Sequence, residues 1–161
     1  MNKQSKQRLT AALLAESKEK YPNLPDHARV IKSYSDNSAN GLTKCVIKWL
    51  ELHGCQAERI NTMGRMVDNR KVVTDVLGRK GMIGSMTYIP TTGTRGSADV
   101  SAVVFGRSVK IEIKFGKDRQ SEAQKQYQAS VEKAGGIYLI VRTFDDFLEW
   151  WDNFVTSKSK I

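Results

Sequence analysis

The sequence predicts a single α/β domain, and three observations carry that prediction. Leu42, Val46, Trp49, Leu50 and His53 recur at helical spacing and are followed by Gly54, a residue suited to a left-handed helix stop. Two apolar segments, 99–105 and 109–115, flank a glycine turn signal at Gly106. A helical pattern over 121–134 then leads into the apolar run Ile137 to Val141, which reads as a β-α-β unit with a parallel, buried second strand. Together these give a mixed sheet with helices on both faces, in the order α-β-β-β-α-β. The 161 residues, 40% of them apolar, suffice for one domain with a real core and hardly for two.

The elements follow in order. Residues 1–36 read as an N-terminal helical extension: Leu9, Leu13 and Leu14 line one side of a helix that ends before Pro22. The Ser-, Asn- and Asp-rich stretch Ser33 to Asn40 favours a loop. The main domain is expected over 37–156, with 157–161 as a tail. After the first domain helix, Gln56 to Thr62 reads as a weak strand. Six glycines between Gly64 and Ser97 argue for loops and short hairpins, with Met86 to Ile89 as a strand. Strands over 99–105, 109–115 and 137–142, and helices over 121–134 and 145–155, complete the chain.

Charge narrows the function classes. Lys and Arg number 26 against 17 Asp and Glu, a net charge of +9. Between Arg59 and Arg119 lie twelve basic residues and five acids, so this window carries +7 of the total. Such concentration points to a polyanionic partner, although charge that only aids solubility remains the alternative. Two cysteines, Cys45 and Cys55, cannot staple a secreted scaffold. The absence of C-x-x-C, with only His27 and His53 as histidines, argues against structural zinc. No apolar run is long enough to span a bilayer and no cleavable signal is visible, so a cytoplasmic setting without a membrane partner is expected.

The chemistry is expected on the hairpin Asp99 to Phe115. A turn at Gly106-Arg107 pairs Val104 with Val109, Ala102 with Ile111 and Val100 with Ile113, all on the core face. The other face then holds Asp99, Glu112 and Lys114, with the two acids as diagonal neighbours. Two close carboxylates repel unless a cation lies between them. Either Lys114 makes a surface salt bridge there, or the pair seats a hard divalent ion such as Mg²⁺. Downstream, Ser121 and Gln124 form an S-x-x-Q capping box.

The ordered set G-T-R-G-S-A-D (93–99), E-I-K (112–114) and Q-S-E-A-Q-K-Q-Y (120–127) resembles the PD-(D/E)xK nucleases, specifically the VRR-NUC branch. E-R-I-N-T-M-G (58–64) and A-G-G-I-Y-L-I-V-R-T-F-D-D-F (134–147) fit that branch too, so the resemblance covers about residues 40–150. It implies a restriction-endonuclease-like fold and hydrolysis of DNA phosphodiesters with Mg²⁺ or Mn²⁺. It also implies a homodimer acting on branched DNA such as four-way junctions. Asp99 and Glu112 would hold the metal with the carbonyl of Ile113. Lys114 would be the catalytic lysine, and Gln124 would position the active-site water or substrate. Two positions depart from the family pattern: Ala98 stands where a proline often precedes the metal-binding Asp, and Asn40 stands near the usual first-helix Glu. A DNA-binding module with weak or lost catalysis is therefore the alternative, and a basic protein that docks another protein is a third.

Arg95, Lys117, Arg119 and Lys125 are the candidates for phosphate contacts. Arg59 and Asn61 resemble family positions near the site, and either is equally read as a plain strand residue. Trp49, Trp150 and Trp151 fit core or dimer packing, and His27 and His53 show no partner.

Overall fold

The computed structural model describes residues 1–61, 64–91 and 93–158. Four helices, α1 (Lys3–Lys20), α2 (Ala39–Leu52), α3 (Glu122–Lys133) and α4 (Phe144–Lys158), surround a four-stranded sheet. Its strands are β1 (Gln56–Arg59), β6 (Val100–Val104), β7 (Arg107–Ile113) and β8 (Ile137–Val141), in the order β1-β6-β7-β8. The first three pair antiparallel, and β8 joins β7 in parallel after the α3 crossover. The mixed α/β architecture matches the expectation from sequence.

One sheet face makes the core. Val100, Ala102, Val104, Val109, Ile111, Ile113 and Val141 pack with Leu42, Val46 and Trp49 of α2 and with Phe144, Phe147 and Trp151 of α4. α3 lies on the opposite face, where its Gln124 reaches Glu112. Trp49 and Trp151 are buried and meet edge to face, whereas Trp150 is half-buried and stacks on Phe154. His53 has partners after all: its Nδ1 lies 2.8 Å from the carbonyl of Trp49, and its ring packs between Trp49 and Trp151. Burial pushes the Cys45 thiol up to about 11, as suits a small hydrophobe in the core.

α1 is an integral part of this core. Leu9 and Leu13 are buried in the same cluster. Arg8 pairs with Asp152 of α4 at 2.7 Å, and Lys48 of α2 pairs with Glu16 at 2.7 Å. The Met1 amine lies 2.7 Å from Asp36, whose other contact is the Phe144 N–H at the start of α4. Among the described residues no helix is long and apolar enough to cross a membrane.

The hairpin turn differs from the expected one. Val104 pairs with Arg107, so the turn is Phe105-Gly106, with φ of 48° and 79°. Both central residues in the left-handed region make a type I′-like turn, which matches strand twist. Phe105 tolerates that conformation because its ring packs on Trp151 and Phe154. The register therefore moves by two residues, with Val100 opposite Ile111 rather than Ile113. A two-residue shift keeps every side chain on its face.

β1 ends at Arg59, earlier than the expected Thr62, which lies outside the described residues together with Met63 of the 58–64 motif; residues 159–161 of the tail also fall outside. The larger difference is in 64–97. Residues 65–89 form one long ribbon of four short strands: β2 (Arg65–Asp68), β3 (Lys71–Thr74), β4 (Lys80–Ile83) and β5 (Met86–Ile89). β2 pairs with β5 and β3 with β4 in one unbroken register, from Arg65 opposite Ile89 to Thr74 opposite Lys80.

Candidate active site

The site is built where β6 begins and β7 ends. Asp99, just before β6, is fixed by backbone on two sides. Its carbonyl accepts the Ile60 N–H at 2.8 Å, and its carboxylate accepts the Ile113 N–H at 2.9 Å. Continuing the β6–β7 register by one residue sets Asp99 directly opposite Glu112, closer than the expected diagonal. The alternation of β7 sends Val109, Ile111 and Ile113 to the core and Lys110, Glu112 and Lys114 to the other face.

On that face Glu112 and Lys114 are buried, with 2% and 4% of their surfaces exposed. A surface salt bridge would not be dry. Lys114 Nζ lies 3.1 Å from Glu112 Oε1, 3.0 Å from Gln124 Oε1 and 3.3 Å from Asp118 Oδ2. Gln124 Nε2 donates to Glu112 Oε1 at 2.5 Å, and the Tyr138 hydroxyl approaches Glu112 Oε2 at 3.4 Å. Burial, reinforced by the charge of Asp99, holds Glu112 above the usual carboxylate range against the pull of Lys114. Burial opposes the Lys114 charge, but Glu112 and Asp118 outweigh it and hold its pKa above the ordinary lysine value. Lys114 is thus a cation at neutral pH. Burial and the charge of Glu112 raise Tyr138 strongly, so its hydroxyl stays protonated and able to donate.

Gln124 unites the two readings of the S-x-x-Q motif. Ser121 Oγ accepts the Gln124 N–H at 3.3 Å, while Gln124 Oε1 accepts the Ser121 N–H at 2.9 Å, a complete capping box. The same amide bridges Lys114 and Glu112. Gly96 presses the preceding loop onto this helix start: at φ +81°, a Cβ there would collide with the backbone of Ala123 and Gln124. That seat brings exposed Arg95 beside the first turn of α3.

The remaining predicted residues fall around this cluster with different partners. Lys117 and Arg119 are exposed on the segment between β7 and α3. Lys125 is exposed too, but its charge is shared with Glu122 at 2.7 Å. Asn40, the second residue of α2, accepts from Arg59 Nη1 at 2.6 Å. α2 therefore turns an amide toward β1 and brings no carboxylate to Asp99. Tyr138 and Asp118 hold the buried pair yet had no distinguishing signal in the sequence. A tyrosine in an apolar strand and an acid in a basic loop gain meaning only from the fold.

The donor chemistry fits a hard divalent cation. Asp99 and Glu112 face each other across the β6–β7 register, and Mg²⁺ needs only one or two carboxylates, taking its remaining ligands from water and phosphate. Among the described residues no group of three or more His, Cys, Asp or Glu side chains gathers to hold a metal. Any ion here would rest on the Asp99–Glu112 pair and backbone oxygen.

No model of a known protein family matches the chain. No curated protein matches it either.

Proposed function

We propose that the protein is a metal-dependent DNA endonuclease on a restriction-endonuclease-like fold of the VRR-NUC kind, hydrolysing phosphodiesters in branched DNA such as four-way junctions. The observation that carries this reading is the meeting of Asp99, Glu112, Lys114 and Gln124 on one face at the β6–β7 junction, with Glu112 and Lys114 withdrawn from water. Asp99 and Glu112, with the carbonyl of Ile113, would hold Mg²⁺ or Mn²⁺. Such an ion, when bound, lowers the pKa of a coordinated water and offsets charge that grows on a phosphate.

The chain's own residues divide the remaining work. Lys114, kept protonated, offsets phosphate charge and orients the attacking water; its pKa direction does not suit it to abstract a proton. Gln124 and Tyr138 fix the Glu112 carboxylate, and Asp118 tethers Lys114. Arg95, Lys117 and Arg119 stand exposed around the site as phosphate contacts, with Lys125 weakened in that role by Glu122.

The test is a cleavage panel of single-stranded, duplex, flap and four-way-junction DNA, with and without Mg²⁺. Asp99→Ala is expected to lower Mg²⁺-dependent cleavage by roughly 10³-fold while leaving DNA affinity nearly unchanged. Equal cleavage by wild type and variant overturns the assignment. A second reading is favoured by one observation, the engagement of Asn40 with Arg59 where the resembled nucleases carry a first-helix acid. It makes the protein a DNA-binding module with weak or lost catalysis. Salt-sensitive binding with no product in Mg²⁺ or Mn²⁺ would support that reading.

A further inference from the structure

The ribbon over residues 65–89 is inserted between β1 and β6, which lie side by side in the main sheet. Its root is at the candidate site: the Ile60 N–H, just after β1, donates to the carbonyl of Asp99, just before β6, at 2.8 Å. From there it runs as two short ladders, β2 with β5 and β3 with β4, joined by the Asn69 N–H to the Ser85 carbonyl at 3.2 Å. At ~3.3 Å per residue its outgoing arm, residues 65–74, measures at most about 33 Å, close to one turn of duplex DNA. β2 to β5 pack chiefly on one another, and every residue from 65 to 89 except Val67 is exposed.

The tip sets this ribbon apart. Apolar side chains stand on both faces of the stem, but at the turn Val76 and Leu77 are 102% and 73% exposed, where turn chemistry favours polar residues. The turn is nonetheless firmly built. The Asp75 carboxylate accepts the Leu77 N–H at 2.9 Å and the Arg79 N–H at 2.8 Å, and the Arg79 guanidinium closes on it at 2.9 Å. The Asp75 N–H donates to the Arg79 carbonyl at 2.9 Å, and Gly78 supplies the positive φ of 79°. Two apolar side chains are thus held out in water on a pre-organised loop, which leaves little order to impose on binding. The stem is basic, with five Lys and Arg against two Asp. Arg70 is tied to Asp68 and Arg79 to Asp75, while Arg65, Lys71 and Lys80 are exposed without an ion pair among the described residues.

We propose that the ribbon is a DNA-opening element: Arg65, Lys71 and Lys80 follow the phosphate backbone, and Leu77, supported by Val76, enters between base steps as an apolar wedge at a branch point. Wedges of this kind pay for insertion in lost stacking, and the cost is smallest where bases are already unpaired or strained. The tip therefore favours branched over continuous duplex DNA. An anionic lipid surface would also receive an apolar tip flanked by cations. DNA is the better occupant because the ribbon is rooted at Asp99, so a strand held along the stem leads to the end of the sheet where Asp99 and Glu112 meet. The inference rests on the reading of the protein as one that binds DNA, and adds the element that selects a branched substrate.

The experiment is a titration of the full chain, in EDTA so that no cleavage occurs, against a four-way junction and a matched duplex carrying 2-aminopurine at the branch or its equivalent position. Wild type is expected to raise the fluorescence of the junction on binding, as the probe base unstacks. Val76→Ser with Leu77→Ser is expected to abolish that rise and to lower junction affinity roughly 10- to 100-fold, the worth of burying one leucine, with duplex affinity and the far-ultraviolet spectrum unchanged. Leu77→Phe, a larger wedge, is expected to keep the rise. Lys71→Ala with Lys80→Ala is expected to weaken both DNAs alike and to reduce the slope of log affinity against log salt by about 2. Junction binding without a fluorescence rise, a rise that survives the double serine change, or an unchanged salt slope overturns the proposal and leaves the nuclease reading standing. Leu77-dependent binding to phosphatidylglycerol vesicles with no rise on DNA overturns it in favour of a membrane. Absence of DNA binding at low salt removes both, whereas cleavage indifferent to Asp99→Ala removes the nuclease reading alone.

Discussion

Gln124 is the residue on which local and functional demands meet. One face of its amide closes the α3 capping box, and the same group bridges Lys114 and Glu112. The two roles separate by mutation. Ser121→Ala removes the cap partner of the Gln124 N–H and is expected to cost about 1 kcal/mol of stability, with cleavage close to wild type. Gln124→Ala should show a similar or larger loss of stability, because it also leaves buried polar groups unpaired, and a drop in single-turnover cleavage of at least about tenfold. Thermal melts and single-turnover assays on the two variants check this; equal cleavage would restrict Gln124 to capping. What the sequence made legible at this scale was that Asp99, Glu112 and Lys114 share a face, because alternation along β7 fixes 112 and 114 together and the even register shift keeps Asp99 with them. Tyr138 was not legible, since Glu112 lies 26 residues away on another strand, and Asp118 reaches Lys114 only through the turn closed by its N–H to the Phe115 carbonyl.

The elements teach a complementary lesson. Local preference alone places the hairpin turn one residue late, because a phenylalanine in the left-handed region is disfavoured; stacking on Trp151 and Phe154 stabilises it. The faces survived because the error moved the register by an even number. The ribbon over 65–89 was hidden for a different reason. Apolar residues lie on both of its faces, so no period-two alternation stands out, and its glycines suggest loops. Gly78 and Gly84 do take positive φ, of 79° and 104°, in the turn at the ribbon tip and in the break between β4 and β5. Gly96 is the hinge of the loop that approaches α3. Gly96→Ala would place a Cβ against the backbone of Ala123 and Gln124 at φ +81°, where a side chain is strained in any case. The variant is expected to lose about 1–3 kcal/mol and to bind DNA more weakly as Arg95 moves away. Chemical denaturation and a binding titration would measure both, and unchanged affinity would remove Arg95 from the phosphate contacts.

At the scale of the whole molecule, the N-terminal segment is part of the fold. The polar sequence of α1 disguised this, because Leu9 and Leu13 of its eighteen residues are buried in the core and Ala12 packs against it. Asp36 ties the pieces together, accepting from the Met1 amine and from the Phe144 N–H. Burial raises Asp36, but the amine and the Phe144 N–H outweigh it and leave its pKa below the usual aspartate value. The Met1 amine is correspondingly raised, chiefly by its bond to Asp36. A lowered acid stabilises the fold above its unfolded pKa and loses that contribution as pH falls through the folded one; a raised amine stabilises below its unfolded pKa and loses its contribution as pH rises. The stability gap between wild type and Asp36→Asn is therefore expected to be widest between about pH 4 and pH 8 and to close on either side. Denaturant midpoints measured across that range check it, and a gap independent of pH would show that the pair contributes through packing alone.

The shared amide of Gln124 has a consequence for how the site keeps its readiness. A helix end ordinarily frays on its own schedule, independent of chemistry elsewhere. Here one side chain links the two: Gln124 Oε1 accepts from both the Ser121 N–H and Lys114 Nζ, and its Nε2 donates to Glu112. Order in the site and order at the helix end are thus coupled through that amide, so a ligand that steadies Glu112 also steadies the first turn of α3.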